Sequence, residues 1–241
     1  MAILFNIMLT LIEALNEAVD LILTLDQRLI DIALLTLRIT LSSLALSTII
    51  GMPIGTMLGL AGRIPARGLI MALLYTGMGL PPVVVGLLVF ILLSRSGPFG
   101  YLEWLFSPKA MILAQTIIAL PLIIGLTMAA VGSVHPALSQ QLRALGATRW
   151  QSAQTIVAET KHGMLAAVAA TYGRIVAEVG AVLLVGGNIE AKTRVITTAI
   201  VLETRKGAFA LALGLGLILL SLTFTANIIL LRFGNWNDSR K

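Results

Sequence analysis

Long apolar segments alternate with short polar ones along most of the chain. Four segments contain no charged residue over more than 20 positions: residues 39–62, 68–94, 110–134 and 207–231. In a fifth, residues 163–189, the only charged residues are Arg174 and Glu178. Because about 20 helical residues cross a bilayer core of roughly 30 Å, each segment is long enough to span a membrane. The pattern predicts an all-α integral membrane protein with about five transmembrane helices.

Polar side chains form a single stripe along the beginning of the chain. They recur every three or four positions: Asn6, Thr10, Glu13, Glu17, Asp20 and Thr24. This spacing is typical of one face of a helix whose other faces are apolar. Acidic side chains are costly in a free-standing span, so we expect residues 1–28 to form an amphipathic helix in the membrane interface or on the rim of the bundle. A sixth span is the alternative.

The remaining chain is predicted to be one membrane domain, residues 29–232, followed by a short tail, residues 233–241. If the N-terminus lies outside, the loops at residues 63–67 and 135–162 and the tail are cytoplasmic. These carry eight Lys and Arg residues, against seven on the outer side. This excess of cations is weak. The expectation of an outer N-terminus and a cytoplasmic C-terminus therefore rests more on the family resemblance described below than on the charge count.

The composition agrees with a membrane protein. Hydrophobic residues make up 58% of the chain, charged residues 12%, and the mean hydropathy is +0.97. We attribute the net charge of +6 to loops beside anionic lipid and not to a nucleic-acid partner. The chain has no cysteine, and His135 and His162 stand alone without metal-ligand spacing. No metal site is therefore expected.

Two features inside the predicted spans have either a structural or a functional interpretation. Pro81 and Pro82 remove two backbone donors in mid-span, which kinks the helix for packing or places freed carbonyls along a water-filled path. Arg174 and Glu178 are four residues apart and are expected on one helix face. They form an ion pair that sets the rotation of the helix, or they belong with Gly180 to a gate.

The segment between the third and fourth spans is basic and centred on a glycine. Residues 140–151 read QQLRALGATRWQ. Small side chains at Ala144, Gly146 and Ala147 would let a short helix enter a groove on a partner, and Gly146 permits a turn with positive φ after that helix. Arg143 and Arg149 can pair with acidic groups or lipid phosphates.

This segment resembles the coupling loop by which importer permeases of the ABC class contact their ATPase. Ile156 follows Gly146 at the family's spacing, whereas the family's Glu-Ala-Ala and Leu-Pro positions hold other residues here. The resemblance implies a coupling loop at about residues 139–160. The residues it assigns to ATPase coupling are Arg143, Ala144, Leu145, Gly146, Ala147, Thr148, Arg149 and Ile156.

Three further stretches, residues 78–98, 173–188 and 193–200, resemble permeases for sulfate, molybdate and tungstate, and most of all those for tungstate. The resemblance implies the type I importer fold, a homodimer, two copies of an ABC ATPase subunit and an extracytoplasmic oxyanion-binding protein. It also implies the plasma (inner) membrane of a prokaryote and an alternating-access mechanism. ATP and magnesium would be bound by the partner ATPase, and this chain would hold no cofactor.

Residues 189–206 form an outer loop rich in cations and hydroxyls. Lys192, Thr193, Arg194 and Thr197 are donors of the kind that suits a tetrahedral oxyanion. We expect this loop to receive the anion or to contact the binding protein. The alternative is a solvated loop held by Glu190 and Glu203.

Other functional classes remain as alternatives. The chain has no phosphate-binding Gly-rich motif and no nucleophile–base pairing, so it is expected to be a non-catalytic subunit that draws energy from another polypeptide. Import of molybdate or sulfate is the alternative within the class. An ion-driven secondary transporter would require inverted repeats and several buried acids. A membrane enzyme and a membrane scaffold are the remaining alternatives.

Overall fold

The computed structural model describes residues 16, 24, 27–61, 66–134 and 136–235. All regular elements in these ranges are helices, and the prediction of an all-α protein is confirmed there. The amphipathic helix predicted within residues 1–28 falls almost entirely outside the described positions. Only its last residues, Gln27 and Arg28, belong to a described helix, and they begin α1.

Ten α-helices and one short 3-10 helix, Gly100–Leu102, follow one another along the described ranges. The α-helices are α1 Gln27–Leu60, α2 Arg67–Met78, α3 Pro82–Leu93, α4 Pro108–Gly132, α5 Pro136–Ala144, α6 Arg149–Glu159, α7 Lys161–Val176, α8 Gly180–Gly186, α9 Ile196–Arg205 and α10 Phe209–Asn235.

Three of these helices, α1, α4 and α10, are individually long and apolar enough to cross a membrane. They correspond to the predicted segments 39–62, 110–134 and 207–231, although α1 begins 12 residues before its uncharged segment. Two helix pairs, α2 with α3 and α7 with α8, are each interrupted by a few residues. If each pair is one span, the number of spans is five, as predicted.

The predicted kink at Pro81 and Pro82 takes the form of a short break between two helices. Helix α2 ends at Met78, and the N–H of the following Gly79 donates to the carbonyl of Tyr75 at 3.1 Å. Helix α3 then begins at Pro82. A proline at the first helical position loses no hydrogen bond, and its fixed φ already suits the helix. The second predicted span therefore consists of two helices separated by a short break.

The prediction that Arg174 and Glu178 share one helix face is wrong. Arg174 lies in the last turn of α7, whereas Glu178 lies in the break before α8. The Oε1 atom of Glu178 accepts a 2.9 Å hydrogen bond from the N–H of Ala181. The first N–H groups of a helix have no partner within it, so this carboxylate satisfies one of them and favours a new helix start at Gly180.

The helices form two compact units. Unit A comprises Met1–Leu41, Pro82–Ala114 and Val176–Ala226, and unit B comprises Ser42–Pro81, Gln115–Ile175 and Asn227–Lys241. Each predicted span therefore contributes residues to both units.

In unit A, the beginning of α1 packs against α9 and the beginning of α10. Their buried side chains form one apolar cluster of Leu29, Ile196, Ala199 and Leu215. Helices α1 and α10 thus begin at the same end of this unit. A second contact joins α3 to α8, where a Cβ added at Gly86 would lie 2.6 Å from the Cα of Ala181. Only glycine permits such a close approach of two backbones.

In unit B, the later part of α1 packs against α4 through a row of glycines. Gly51, Gly55 and Gly59 are spaced by one helical turn and face α4. A Cβ added at Gly55 would lie 2.6 Å from the carbonyl oxygen of Ile124. The row brings the two helix backbones together, as small residues do in membrane helix pairs.

Candidate functional site

The segment between α5 and α6, residues 145–148, forms a defined turn that we call the Gly146 turn. Gly146 has φ of 81°, in the left-handed region that glycine adopts without strain. The N–H of Ala147 donates to the carbonyl of Leu142 at 3.0 Å, the bond that closes a helix end of the Schellman type. The predicted positive φ at Gly146 is confirmed.

The other side of the Gly146 turn is held by a capping box that starts α6. The N–H of Gln151 donates to the Thr148 hydroxyl at 3.2 Å, and the N–H of Thr148 donates to Oε1 of Gln151 at 2.8 Å. This reciprocal pair satisfies two donors that the helix start would otherwise leave unpaired. The turn is therefore closed by hydrogen bonds on both sides, which fixes the backbone from which its side chains project.

Two large apolar side chains are exposed at the Gly146 turn, one within it and one just after it. Leu145 is 84% exposed and Trp150 is 72% exposed. Ala144, Gly146, Thr148 and Arg149 are exposed as well, Ala147 is half-buried, and the side chain of Arg143 lies outside the described part of the chain. Exposed apolar side chains that project from a hydrogen-bonded turn among polar residues are typical of an interaction surface.

The sequence analysis assigned no role to Trp150, although it lies within the same segment. The signal that could have identified it is a large aromatic side chain at the first turn of a polar helix. Ile156, assigned to ATPase coupling, has a different environment. It is only 7% exposed, and with Ser152, one helical turn before it, it forms the buried side of α6. This buried side anchors α6 and leaves the Gly146 turn exposed.

The predicted outer loop is largely ordered, because α9 occupies residues 196–205. The hydroxyl of Thr193 donates to the carbonyl of Gly186 at 2.6 Å, and the hydroxyl of Thr197 donates to the carbonyl of Glu178 at 3.0 Å. Both threonines are buried. Their hydroxyl protons therefore hold the backbone around α8.

The two cations of this region differ in their surroundings. Lys192 is exposed, whereas the side chain of Arg194 is only 16% exposed and lies 3.5 Å from Glu190. The N–H of Ile189 donates to the Thr193 hydroxyl at 2.9 Å. This bond fixes the backbone between Ile189 and Thr193, the segment that contains Glu190 and Lys192. Lys192 is thus available at the surface, and Arg194 is held in a partly buried position.

Unit A brings together some of the residues predicted to form a gate. A Cβ added at Gly180 would lie 2.5 Å from Cγ2 of Val83, so the start of α8 touches the start of α3 next to Pro82. The buried carboxylate of Glu178 lies beside the same contact, 3.6 Å from that Cβ position. Pro81 and Arg174 belong to unit B, where Arg174 is half-buried.

The described residues contain no group of three or more His, Asp or Glu side chains placed to hold a metal ion.

Comparison with known proteins places these features in context. The family of binding-protein-dependent transport system inner membrane components matches residues 51–240. A "probable anion ABC transporter permease protein" of Haloferax volcanii is 42% identical over 210 residues, which cover 85% of this chain and 90% of the relative. A tungstate uptake system permease protein of Peptoclostridium acidaminophilum is 34% identical over 218 residues, 90% of this chain and 95% of the relative.

A solved structure shares the fold. A chain in the crystal structure of an amino acid ABC transporter with histidines matches with a TM-score of 0.58 and 14% sequence identity. The match covers 91% of this chain and 97% of that chain. The fold class predicted from the sequence is thereby confirmed.

Proposed function

Because this chain belongs to the family of binding-protein-dependent transport system inner membrane components, we propose that it is the permease subunit of an ATP-driven importer of a tetrahedral oxyanion. Tungstate is the proposed cargo, since the similarity to a tungstate uptake permease extends over 90% of this chain. Import of molybdate or sulfate by the same mechanism is the alternative. The proposed location is the plasma (inner) membrane of a prokaryote.

The exposed pair Leu145 and Trp150 is the observation that carries the coupling to ATP hydrolysis. Two apolar side chains, 84% and 72% exposed on a hydrogen-bonded turn, suit insertion into a groove on a protein partner. The partner is an ABC ATPase that binds ATP and magnesium itself, in two copies for a homodimer of this chain. Ala144, Gly146, Ala147 and Thr148 shape the inserted segment, and Arg149 and Arg143 add positive charge.

The proposed mechanism is alternating access. Closure of the two ATPases on ATP would draw the two Gly146 turns together, and the permease subunits would rock to open the path outward. Transmission of this movement requires that the turn does not flex. The Schellman bond, the capping box and the buried anchor at Ile156 supply that stiffness.

The path for the anion is proposed to pass the breaks in the second and fourth spans. Glu178, Gly180 and Pro82 lie at neighbouring helix starts within unit A, and Pro81 and Arg174 extend the set along the chain. Each break ends one helix and starts another, so the flanking helices can change their angle without losing internal hydrogen bonds. A carboxylate at Glu178 would repel a dianion, and we assign it a role in the gate and not as a ligand.

The outer face is proposed to receive the anion or the binding protein at Lys192 and Arg194. Thr193 and Thr197 act there by positioning the backbone, since their protons are donated to carbonyls. We place the N-terminus outside and the C-terminus in the cytoplasm. The common end of α1 and α10 in unit A fits five spans, because a first and a fifth span enter the membrane from the same side.

Reconstitution with the candidate ATPase and binding protein in liposomes tests the proposal. ATP hydrolysis is measured with tungstate, molybdate or sulfate, and Gly146→Trp serves as the uncoupled control. Stimulation by tungstate at the lowest concentration, lost in the control, is the expected result. Stimulation by another oxyanion would assign that anion as the cargo and would leave the importer function as proposed. A stable complex that no oxyanion stimulates would contradict the proposed substrate class.

A further inference from the structure

Unit A contains a cavity of ≈ 820 Å³ at the common end of α1 and α10. Its apolar wall includes Leu29, Ile32 and Leu35 from α1 and Leu211 and Leu215 from α10. Both helices are candidate membrane spans. The wall is therefore built from the first turns of two candidate spans.

The same cavity has a charged rim, which we define by three basic and three acidic residues. They are Arg28, Asp31, Glu190, Arg194, Glu203 and Lys206. Arg28, Asp31, Glu190 and Lys206 are exposed, whereas Leu29 and Leu215 at the wall are buried. The cavity thus has a polar opening and an apolar interior.

The balance of charge on the rim indicates what it can bind. Three positive and three negative side chains give no net charge, so the rim offers little attraction to a dianion such as an oxyanion cargo. Four of these charges already form ion pairs, Arg194 with Glu190 at 3.5 Å and Lys206 with Glu203 at 3.0 Å. A ligand with one negative and one positive group can replace such a pair without leaving either charge unpaired. An apolar interior beside such a rim matches a molecule that also carries a hydrocarbon chain.

We propose that this cavity binds a zwitterionic phospholipid, with its phosphate at Arg194 and its ammonium group at Glu190. The Nε atom of Arg194 makes no hydrogen bond within the described ranges, so a phosphate oxygen that displaced its neighbours would satisfy an unpaired donor. The Nη1 atom of Arg194 lies 3.5 Å from Oε2 of Glu190, longer than a charge-assisted hydrogen bond, so the headgroup has only a weak ion pair to replace.

The acyl chain has an apolar route out of the cavity. Leu34 lines the cavity and is 59% exposed, so the apolar interior continues onto the outer surface of α1. A lipid can therefore enter sideways from the bilayer while its headgroup remains at the rim. The volume also falls within the range of about 300–1,000 Å³ that is usual for small-molecule sites. The site shares Arg194 with the outer face proposed above for the anion or the binding protein, so lipid binding is measured without either of them.

Native mass spectrometry of the purified full-length chain tests the proposal in the absence of oxyanion. Delipidated protein in detergent is titrated with dioleoylphosphatidylethanolamine or dioleoylphosphatidylglycerol, which differ in the positive charge of the headgroup. We expect the ethanolamine lipid to bind at least tenfold more tightly. Arg194→Gln should remove that preference, and Arg205→Gln, which changes an exposed cation of α9 outside the cavity lining, should retain it.

A second variant keeps the test decisive if Arg194→Gln fails to fold. Glu190 is 69% exposed in its side chain, so Glu190→Gln should fold and should bind the ethanolamine lipid more weakly. Equal binding of both lipids by the unaltered chain, or full retention in both variants, would overturn the proposal. Equally tight binding of phosphoethanolamine without acyl chains would overturn the lipid assignment in favour of a soluble zwitterion.

Discussion

The backbone N–H of Ile196 donates a 2.9 Å hydrogen bond to the hydroxyl of Thr36, a residue 160 positions earlier in the chain. The same hydroxyl donates to the carbonyl of Ile32 at 2.7 Å. Ile196 is the first residue of α9, where a helix leaves its N–H groups without an internal partner. Thr36 therefore satisfies a buried donor and fastens the start of α9 to α1.

Replacing Thr36 by valine should lower the stability of the protein. The substitution keeps the shape but leaves the buried N–H of Ile196 without an acceptor, at a cost of about 1–3 kcal/mol. Thr36→Ser should retain most of the stability. Thermal unfolding of the purified chain in detergent measures the effect. Thr223→Val is the matched control, because the Thr223 hydroxyl only donates to Leu219 within its own helix. Equal losses in both valine variants would contradict this role.

Gly86 and Gly216 should respond in opposite directions to the same substitution by alanine. At Gly86 the added Cβ would lie 2.6 Å from the Cα of Ala181, so α3 and α8 must separate, at a cost of about 1–3 kcal/mol. At Gly216, inside α10, the added Cβ would meet nothing within 4 Å, and alanine gains up to about 1 kcal/mol of helix propensity. Melting temperatures measure both. A stable Gly86→Ala variant would contradict the close helix contact.

The Gly146 turn should tolerate asparagine and reject valine. The space around Gly146 is open, so a side chain meets no neighbour and only the positive φ opposes it. Asparagine adopts this conformation readily, whereas a β-branched residue there is a backbone outlier. We expect Gly146→Val to lose most transport-coupled ATP hydrolysis and Gly146→Asn to retain it. Full coupling in the valine variant would show that the left-handed turn is dispensable.

Trp150→Ala should weaken binding of the partner ATPase without destabilising the permease. The side chain is 72% exposed, so its removal leaves no internal cavity. Aromatic anchors at protein interfaces often contribute about 2 kcal/mol or more, roughly a 30-fold change in affinity. Co-purification and titration with the ATPase measure the loss. Gln154→Ala, at an exposed position one turn further along α6, is the control. If Trp150→Ala binds the ATPase as tightly as the unaltered protein, this surface is not the one that the ATPase binds.

Lys192→Gln should lower oxyanion uptake and leave the yield of dimer unchanged. Lys192 is exposed, and its ammonium group is proposed to attract the anion or the acidic rim of the binding protein. Uptake into proteoliposomes at low and high salt measures the effect, since screening should reduce the difference between variant and unaltered protein. Arg205→Gln controls for a general loss of positive charge. Uptake equal to that of the unaltered protein would reject this role.

The hydrophobic pattern was sufficient to identify the membrane spans. Uncharged segments of more than 20 residues correspond to α1, α4 and α10, because the bilayer imposes a length and a polarity that any spanning helix must satisfy. The Gly146 turn was equally predictable. A positive φ is a local property, and glycine with small neighbours indicates it without knowledge of distant contacts. The resemblance to ABC importer permeases also held, and the family is now identified.

The breaks within the second and fourth spans could not be read from the same pattern. Apolar residues continue through Pro82 and through Val179, so hydropathy does not distinguish a helix that ends from one that continues. The start of α8 is favoured by the carboxylate of Glu178, which accepts a hydrogen bond from the N–H of Ala181. Whether a side chain caps a new helix or extends the old one is decided by what surrounds it.

The sequence by itself determined the class of this protein, its spans and its exposed glycine turn, since these follow from local chemistry and from the thickness of a bilayer. Only the tertiary structure decided the roles of Thr193 and Thr197, which appeared to be free donors and instead hold carbonyls of Gly186 and Glu178. The tertiary structure also brought together the charged rim of the cavity, whose residues come from α1, from α9 and its C-cap, and from the segment between α8 and α9. Residues distant in sequence meet only when helices pack, and packing depends on shape complementarity that no local pattern records.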